Sequence, residues 1–202
     1  TRSRVATVTV VAMDPSSTAW LGVPTGAPIV VDAVPPLTTG LGWLRARGRA
    51  CTKGGWAEAD CGACTVVLRE HGEGGVPSLR PVNACIQLLP MMHGKEIVTV
   101  EHLSRSGDLH PVQQAMAEGH GSQCGFCTPG FVMSLWRGYE DDASIDEDDV
   151  ADQIAGNLCR CTGYGPILRA AAVARALPAP VSDKNEAAKR LSDLKASPLA
   201  YE

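Results

Sequence analysis

Short β-branched runs punctuate the first half of the chain, and longer segments with helix start signals fill the second. Val5 to Ala12 alternates roughly between apolar and threonine positions and Ile29-Val30-Val31 is β-branched throughout, so a strand is predicted at each. Between them, Pro15 to Pro28 is rich in Ser, Thr, Gly and Pro and reads as a connection longer than a tight hairpin. Thr38 or Thr39 can cap a helix through Trp43-Leu44-Arg45 that stops near Gly48. A cysteine-bearing loop over 52–64 leads into a strand at Thr65 to Leu68, and a polar, Gly-rich turn over 70–78 returns the chain along Leu79 to Val82. A short helix then carries Cys85 to Leu89, and Ile97 to Val100 is the last strand. Mixed strands around one helix, with a metal loop at one end, make residues 1–103 a small α+β domain.

From about residue 108 the signals are helical. His110-Pro111 opens a segment to Glu118, and Thr128-Pro129 caps another that runs to about Tyr139, with proline at its first helical position. Ser144-Ile145-Asp146-Glu147 is a capping box for a third helix ending near Gly156, and Pro166 starts a fourth that reaches Leu177. These four helices predict an all-α bundle over 104–178. After Pro178 and Pro180 the tail, 179–202, is charged and reads as a partly helical linker.

Composition changes this picture in one respect. Only 4% of the 202 residues are aromatic, so a purely hydrophobic core is thin, a deficit that metal clusters offset by tying distant segments together. A net charge of −4 gives no reason to expect nucleic acid as a partner. No uninterrupted apolar run is long enough to span a bilayer, and the apolar stretch from Val5 to Met13 is broken by Thr7 and Thr9, unlike a signal peptide.

The chemistry lies in the eight cysteines, seven of which fall into two groups. Cys124 and Cys127 form a CxxC pair, and Cys159 and Cys161 a CxC pair; together they supply four soft thiolates, the number a 2Fe-2S cluster requires. Cys61, Cys64 and Cys85 fit the last three ligands of the plant-type ferredoxin spacing, whose first position falls on Trp56. An indole carries an N–H donor and no lone pair for iron, so Trp56 cannot stand in for a thiolate. Cys51, five residues upstream, is the spare thiol: either a recruited ligand or an incidental cysteine. Short spacings beside glycines favour metal over disulfides, and Gly54, Gly55 and Gly62 fit the first site as Gly125, Gly130 and Gly163 fit the second. Structural zinc is disfavoured because CxC in a glycine-rich bundle is unusual for a tetrahedral site. His93, His102, His110 and His120 share no spacing, Asp141-Asp142 and Glu147 to Asp149 read as a solvated loop and a helix start, and no catalytic residue stands out.

Residues Thr52-Lys53, Glu58, Cys61 to Val67, Asn83-Ala84-Cys85, Gly121 to Ser134 and Gly156 to Tyr164 resemble the iron–sulfur region of the molybdenum hydroxylases, in particular the small subunit of bacterial xanthine dehydrogenases. The resemblance covers about residues 28–177, strongest over 121–166 and eroded over 49–60, where Ala59 also replaces a usual glycine. It implies an N-terminal β-grasp 2Fe-2S ferredoxin-like domain followed by an all-α four-helix 2Fe-2S-binding domain. It further implies electrons passing from a molybdenum cofactor (molybdopterin) on a partner subunit, across the helical-domain cluster and the ferredoxin-domain cluster, to FAD on a partner domain or subunit. Cys124, Cys127, Cys159 and Cys161 then hold the molybdenum-side cluster, Cys61, Cys64 and Cys85 belong to the FAD-side cluster, and Gln123 and Cys161 approach the pterin. A cytoplasmic location goes with this reading, and the chain is expected to be a fragment of a longer subunit or a separate small subunit. The alternative is a degenerate structural or assembly module with an incomplete first cluster.

Overall fold

The structure is a computed structural model that describes residues 19–22, 29–31, 34–104, 107–140, 147–178, 180 and 184–194. Five strands, β1 Ala19–Gly22, β2 Ile29–Val31, β3 Thr65–His71, β4 Pro77–Asn83 and β5 Lys95–Val98, form one sheet in the order β2-β1-β5-β3-β4. The β1/β5 pair is parallel and the others are antiparallel. A helix α1, Gly40–Ala46, lies between the first and second strand pairs in sequence; Thr39 caps it by accepting from the Gly42 N–H, and Gly48 follows its end at φ +74°. The protein is therefore mixed α and β, with a small sheet and six helices among the described residues.

Several elements differ from the sequence reading, among them the last strand, which runs over Lys95–Val98 and gives way to a 3-10 turn at Val100. The strand predicted over 5–12 lies outside the described residues, while β1 occupies 19–22, inside the stretch read as a connection. Ala19-Trp20-Leu21-Gly22 is too short to alternate visibly, and it becomes a strand by pairing on both sides, with β2 and β5. The short helix expected over 85–89 is instead a turn followed by a 3-10 segment at Leu89–Met92. The strands around the 70–78 turn are longer than expected: β3 and β4 pair from Thr65/Asn83 to His71/Pro77 across a 3-10 turn at Glu73–Gly75.

Alternation along β3 builds two cores. Val66 and Leu68 face α1, Ile97 and Leu89, whereas Val67 joins Val98 and the helices on the opposite side. Those helices are α2 Pro111–Glu118, α3 Thr128–Glu140, α4 Glu147–Ile154 and α5 Gly165–Ala176. A strand buried on both faces needs apolar residues at successive positions, which Val66-Val67-Leu68 provides. Phe131, Met133, Met116 and Ile167 fill the helical core, and by area bookkeeping each buried side chain of this size contributes about 1.5–3 kcal/mol.

Part of the tail is helical. In α6, Lys184–Ser192, Ala187 and Leu191 are buried, and Arg190 Nε lies 2.7 Å from Glu96 Oε1. Glu96 is fully buried on β5 and also bonds Arg69 of β3 at 2.5 Å, so one carboxylate ties the tail to the sheet. Arg69 in turn sits over the Trp136 ring, 5.9 Å from its centroid.

His102, just after β5, is buried; its Nδ1 accepts the Thr99 N–H at 3.1 Å, while its Nε2 finds no hydrogen-bond partner among the described residues. Burial, with help from nearby Arg49 and Arg69 and against Glu101, lowers its pKa to about 4. Because the unfolded imidazole titrates near 6.5, the unfolded chain binds the extra proton first, and stability falls as pH drops from about 6.5 towards 4. His102→Gln is expected to flatten this limb, so that the variant's melting temperature changes less than the parent's between pH 7 and pH 5.

Candidate metal centre

Both cysteine groups lie where backbone turns meet helix or strand ends. Cys124 and Cys127 sit on the turn before α3, and the Cys127 carbonyl accepts the Gly130 and Phe131 N–H groups that open that helix. Cys159 and Cys161 sit on the turn between α4 and α5, which Tyr164 closes at φ +68° while its hydroxyl accepts the Cys159 N–H at 2.9 Å. The four thiols meet as two pairs: Cys124 and Cys161 Sγ are 3.6 Å apart, and Cys127 and Cys159 are in hydrogen-bond contact. Cys124 and Cys161 face outward, and Cys127 and Cys159 are partly buried.

The protonation of these thiols follows from their surroundings. Burial, the contact with Cys159 and the nearby Cys159 and Cys124 sulfurs push Cys127 up to about 12. Burial acts on Cys159 in the same direction, but hydrogen bonds from the Thr162 hydroxyl and N–H and from the Cys161 N–H outweigh it and lower its pKa. The contact with Cys124 raises Cys161. Thiols held protonated in this way ionise when a metal replaces the proton, so metal uptake releases protons and strengthens with pH.

The sheet-side group is arranged differently. Cys64 and Cys85, at the facing ends of β3 and β4, are buried with their sulfurs 3.1 Å apart, and burial, with the neighbouring thiols, pushes Cys64 up to about 12. Cys61 is partly exposed, and its sulfur lies against Gly55, where a Cβ would come within 2.8 Å of it. Trp56 is 62% exposed. Cys51 is turned elsewhere: its N–H donates to Glu101 at 3.1 Å and its thiol bonds the same carboxylate. Among the described residues no three or more His, Cys, Asp or Glu side chains converge as a mononuclear metal site would. Paired thiols suit a dinuclear cluster, in which each iron takes two. The helical group meets that need with two pairs, and the sheet-side group with one pair and a single thiol.

The two loops are clamped together by a residue that sequence reading placed in the motif without giving it a role. Asn157, buried, donates from Nδ2 to the Gly62 carbonyl at 2.9 Å and to Thr65 Oγ1 at 3.2 Å, and accepts from Ser134 Oγ at 2.7 Å. One residue on, the Leu158 N–H donates to the Cys61 carbonyl at 3.0 Å. Gly62 and Gly130, expected to wrap their own sites, instead allow this approach: a Cβ on Gly130 would lie 2.1 Å from the Gly62 oxygen, and one on Gly62 would lie 2.3 Å from the Gly156 oxygen. An asparagine before a CxC pair was the available signal, but its partner lies 95 positions away. Thr162 and Tyr164, which serve Cys159, were likewise visible only as neighbours of the CxC pair.

Comparison with known proteins gives the family. A family described as a 2Fe-2S binding domain matches residues 99–172. The chain is 45% identical over 151 residues to the xanthine dehydrogenase of Emericella nidulans, an alignment covering 72% of this chain and 11% of that protein. It is 44% identical over 133 residues to xanthine dehydrogenase 1 of Arabidopsis thaliana, covering 64% of this chain and 10% of the relative. Among solved structures it superposes on a chain of quinoline 2-oxidoreductase from Pseudomonas putida 86 with a TM-score of 0.67 and 32% identity, covering 79% of this chain and 94% of that one. The aldehyde oxidoreductase of Desulfovibrio gigas gives a TM-score of 0.66 at 29% identity, over 90% of this chain and 18% of the other. The fold and the matched family thus define an iron–sulfur protein with a 2Fe-2S binding domain. The chain belongs to the molybdenum hydroxylase family of oxidoreductases and corresponds to its iron–sulfur region. It spans about a tenth of the length of these two xanthine dehydrogenases.

Asn157→Ala leaves the Gly62 carbonyl and two hydroxyls without this partner, and is expected to destabilise the chain by about 1–3 kcal/mol. Gly130→Ala, which forces the loops apart, is expected to cost at least as much, because backbone rather than a flexible side chain must yield. Denaturant unfolding of both variants checks this; a Gly130→Ala midpoint equal to the parent's would contradict the clamp.

Proposed function

We propose that this chain is the electron-transfer part of a xanthine dehydrogenase-like molybdenum hydroxylase, with one 2Fe-2S cluster held by Cys124, Cys127, Cys159 and Cys161. The observation that carries this reading is the meeting of four thiols as two pairs at the ends of α3 and α5. When bound there, the cluster supplies a one-electron carrier between a molybdenum cofactor and FAD on partner subunits or domains. The residues around it have separate tasks. Cys127 and Cys159 anchor the inner side against the helical core, where Phe131 and Tyr164 stack edge to face at 6.0 Å. Thr162 presents its hydroxyl and N–H to the Cys159 sulfur and so stabilises added negative charge on it. Gln123, Cys124 and Cys161 are exposed, as an exchange face towards a pterin on a partner requires.

In finer detail, this reading makes residues 1–103 a β-grasp ferredoxin-like domain, 104–178 a four-helix domain and 179–202 a linker. A sheet that pairs β1 with β5 in parallel and carries one packed helix supports the first assignment, and α2 to α5 around one core support the second. A cytoplasmic location goes with eight free cysteines, which suit a reducing compartment. No helix among the described residues is long and apolar enough to cross a membrane.

Cys127→Ser and Cys159→Ser are each expected to abolish most visible absorbance of the iron-loaded full chain and to lower its melting temperature, since metal-binding free energy is also folding free energy here. An unchanged spectrum in both variants would remove the proposal. Thr162→Val keeps all four thiolates but loses the hydroxyl beside Cys159, and should shift the cluster's midpoint potential downward while leaving two irons per cluster. Redox titration followed by electron paramagnetic resonance reads that shift.

A further inference from the structure

We propose that the chain's own side chains load a single 2Fe-2S cluster, in the helical half, and that the sheet-half site lacks a thiolate at its outer corner, beside Cys61, where a small thiol from outside the chain can enter once the Trp56 ring is removed. The helical half follows the function proposed above; the defect in the sheet half stands on separate residues.

Four observations converge on the outer corner. The inner half of the site has both its thiols, because Cys64 and Cys85 are buried with their sulfurs in contact at 3.1 Å, near enough to be drawn onto one iron. Cys61 is left to serve the other iron, and the backbone at Gly55, one residue before position 56, lies against its sulfur. A thiolate at position 56 would therefore stand beside Cys61 and complete the second pair. Trp56 is there instead, with no donor atom for iron and with 62% of its surface in solvent.

Among the described residues, the one cysteine outside the two groups does not fill the gap. Cys51 is engaged with Glu101 through both its N–H and its thiol. The loop between Trp56 and Cys61 also cannot rearrange freely to bring another group in. The Asn83 Nδ2 holds the Ala59 carbonyl at 2.9 Å, and the Cys61 carbonyl is held by Leu158. Ala57 and Ala59 stand in the left-handed region, at φ +63° and +73°, which is strained for an L-residue. The loop is thus held in a bend suited to wrapping a cluster although its side chains do not complete the ligand set.

The test is iron and acid-labile sulfide per full chain after loading with iron and sulfide and removal of free thiol. The parent is expected to hold two of each. Cys51→Ser should also hold two, Trp56→Cys four, and Trp56→Ala two, because removing the ring supplies no ligand. In Trp56→Ala, 2-mercaptoethanol should raise iron from two towards four by entering the vacated corner. Four irons in the thiol-free parent, or in thiol-free Trp56→Ala, would overturn the proposal, as would two in Trp56→Cys when circular dichroism shows it folded. Failure of the thiol to add iron to Trp56→Ala would overturn the external-ligand half. A separate Cys127→Ser measurement in the Trp56→Cys background keeps the two halves distinguishable: two remaining irons assign the loss to the helical site alone, whereas an unchanged four would defeat the helical reading.

Discussion

Closure of one cysteine loop on the other is the constraint on which both sites depend. Asn157 spans the junction from the CxC turn to the Gly62 carbonyl, and Gly62 and Gly130 have no side chains to hold the two backbones apart. The clamp is polar and buried, so its strength lies in having every partner present; without Asn157 the Gly62 carbonyl keeps the Thr65 N–H and hydroxyl, but the buried Ser134 hydroxyl loses its acceptor. The same contact brings Leu158, next to Cys159, onto the carbonyl of Cys61. The two thiol groups are therefore neighbours through main-chain atoms as well as through space, and a change in either loop is felt in the other.

Around this junction the sheet has a double role. Its central strand β3 is apolar on both faces, with α1 on one side and the helical core on the other. The two thiol sites consequently share a single rigid support. A chain with only 4% aromatic residues gains from this economy, since one strand contributes apolar surface to two cores. The buried carboxylate of Glu96, gripped by Arg69 and Arg190, joins the sheet to α6. An ion pair so far from water owes its worth to its geometry, and its clearest consequence is to specify where the tail packs.

The two thiol groups differ in how fully they meet the demands of iron. In the helical half every thiol has a partner, and the hydroxyl and amide of Thr162 address the Cys159 sulfur. In the sheet half the buried pair is as well formed, yet the exposed side ends in a single thiol. Since both groups share one clamp, the defect at Trp56 leaves the supporting architecture in place. The loop keeps its bend, with Ala57 and Ala59 in the left-handed region, because contacts from Asn83 and Leu158 hold its carbonyls.

Much of this was legible in the chain itself. The CxxC and CxC spacings named the donor set, Thr39 and Gly48 bracketed α1, and Pro111, Pro129 and Pro166 marked three helix starts, because each signal acts within a few residues. The absent thiolate at Trp56 was equally plain, being a matter of identity at one position. The strand at Ala19–Gly22 escaped notice because four residues carry little pattern and become a strand by hydrogen-bonding to β2 and β5. The pairing of Cys124 with Cys161, the diversion of Cys51 to Glu101 and the clamp by Asn157 were also decided only in three dimensions. The sequence by itself determined which donors exist and which local turns present them. Tertiary structure decided which donors meet, since contacts between groups tens of residues apart depend on packing and backbone approach that no local pattern records.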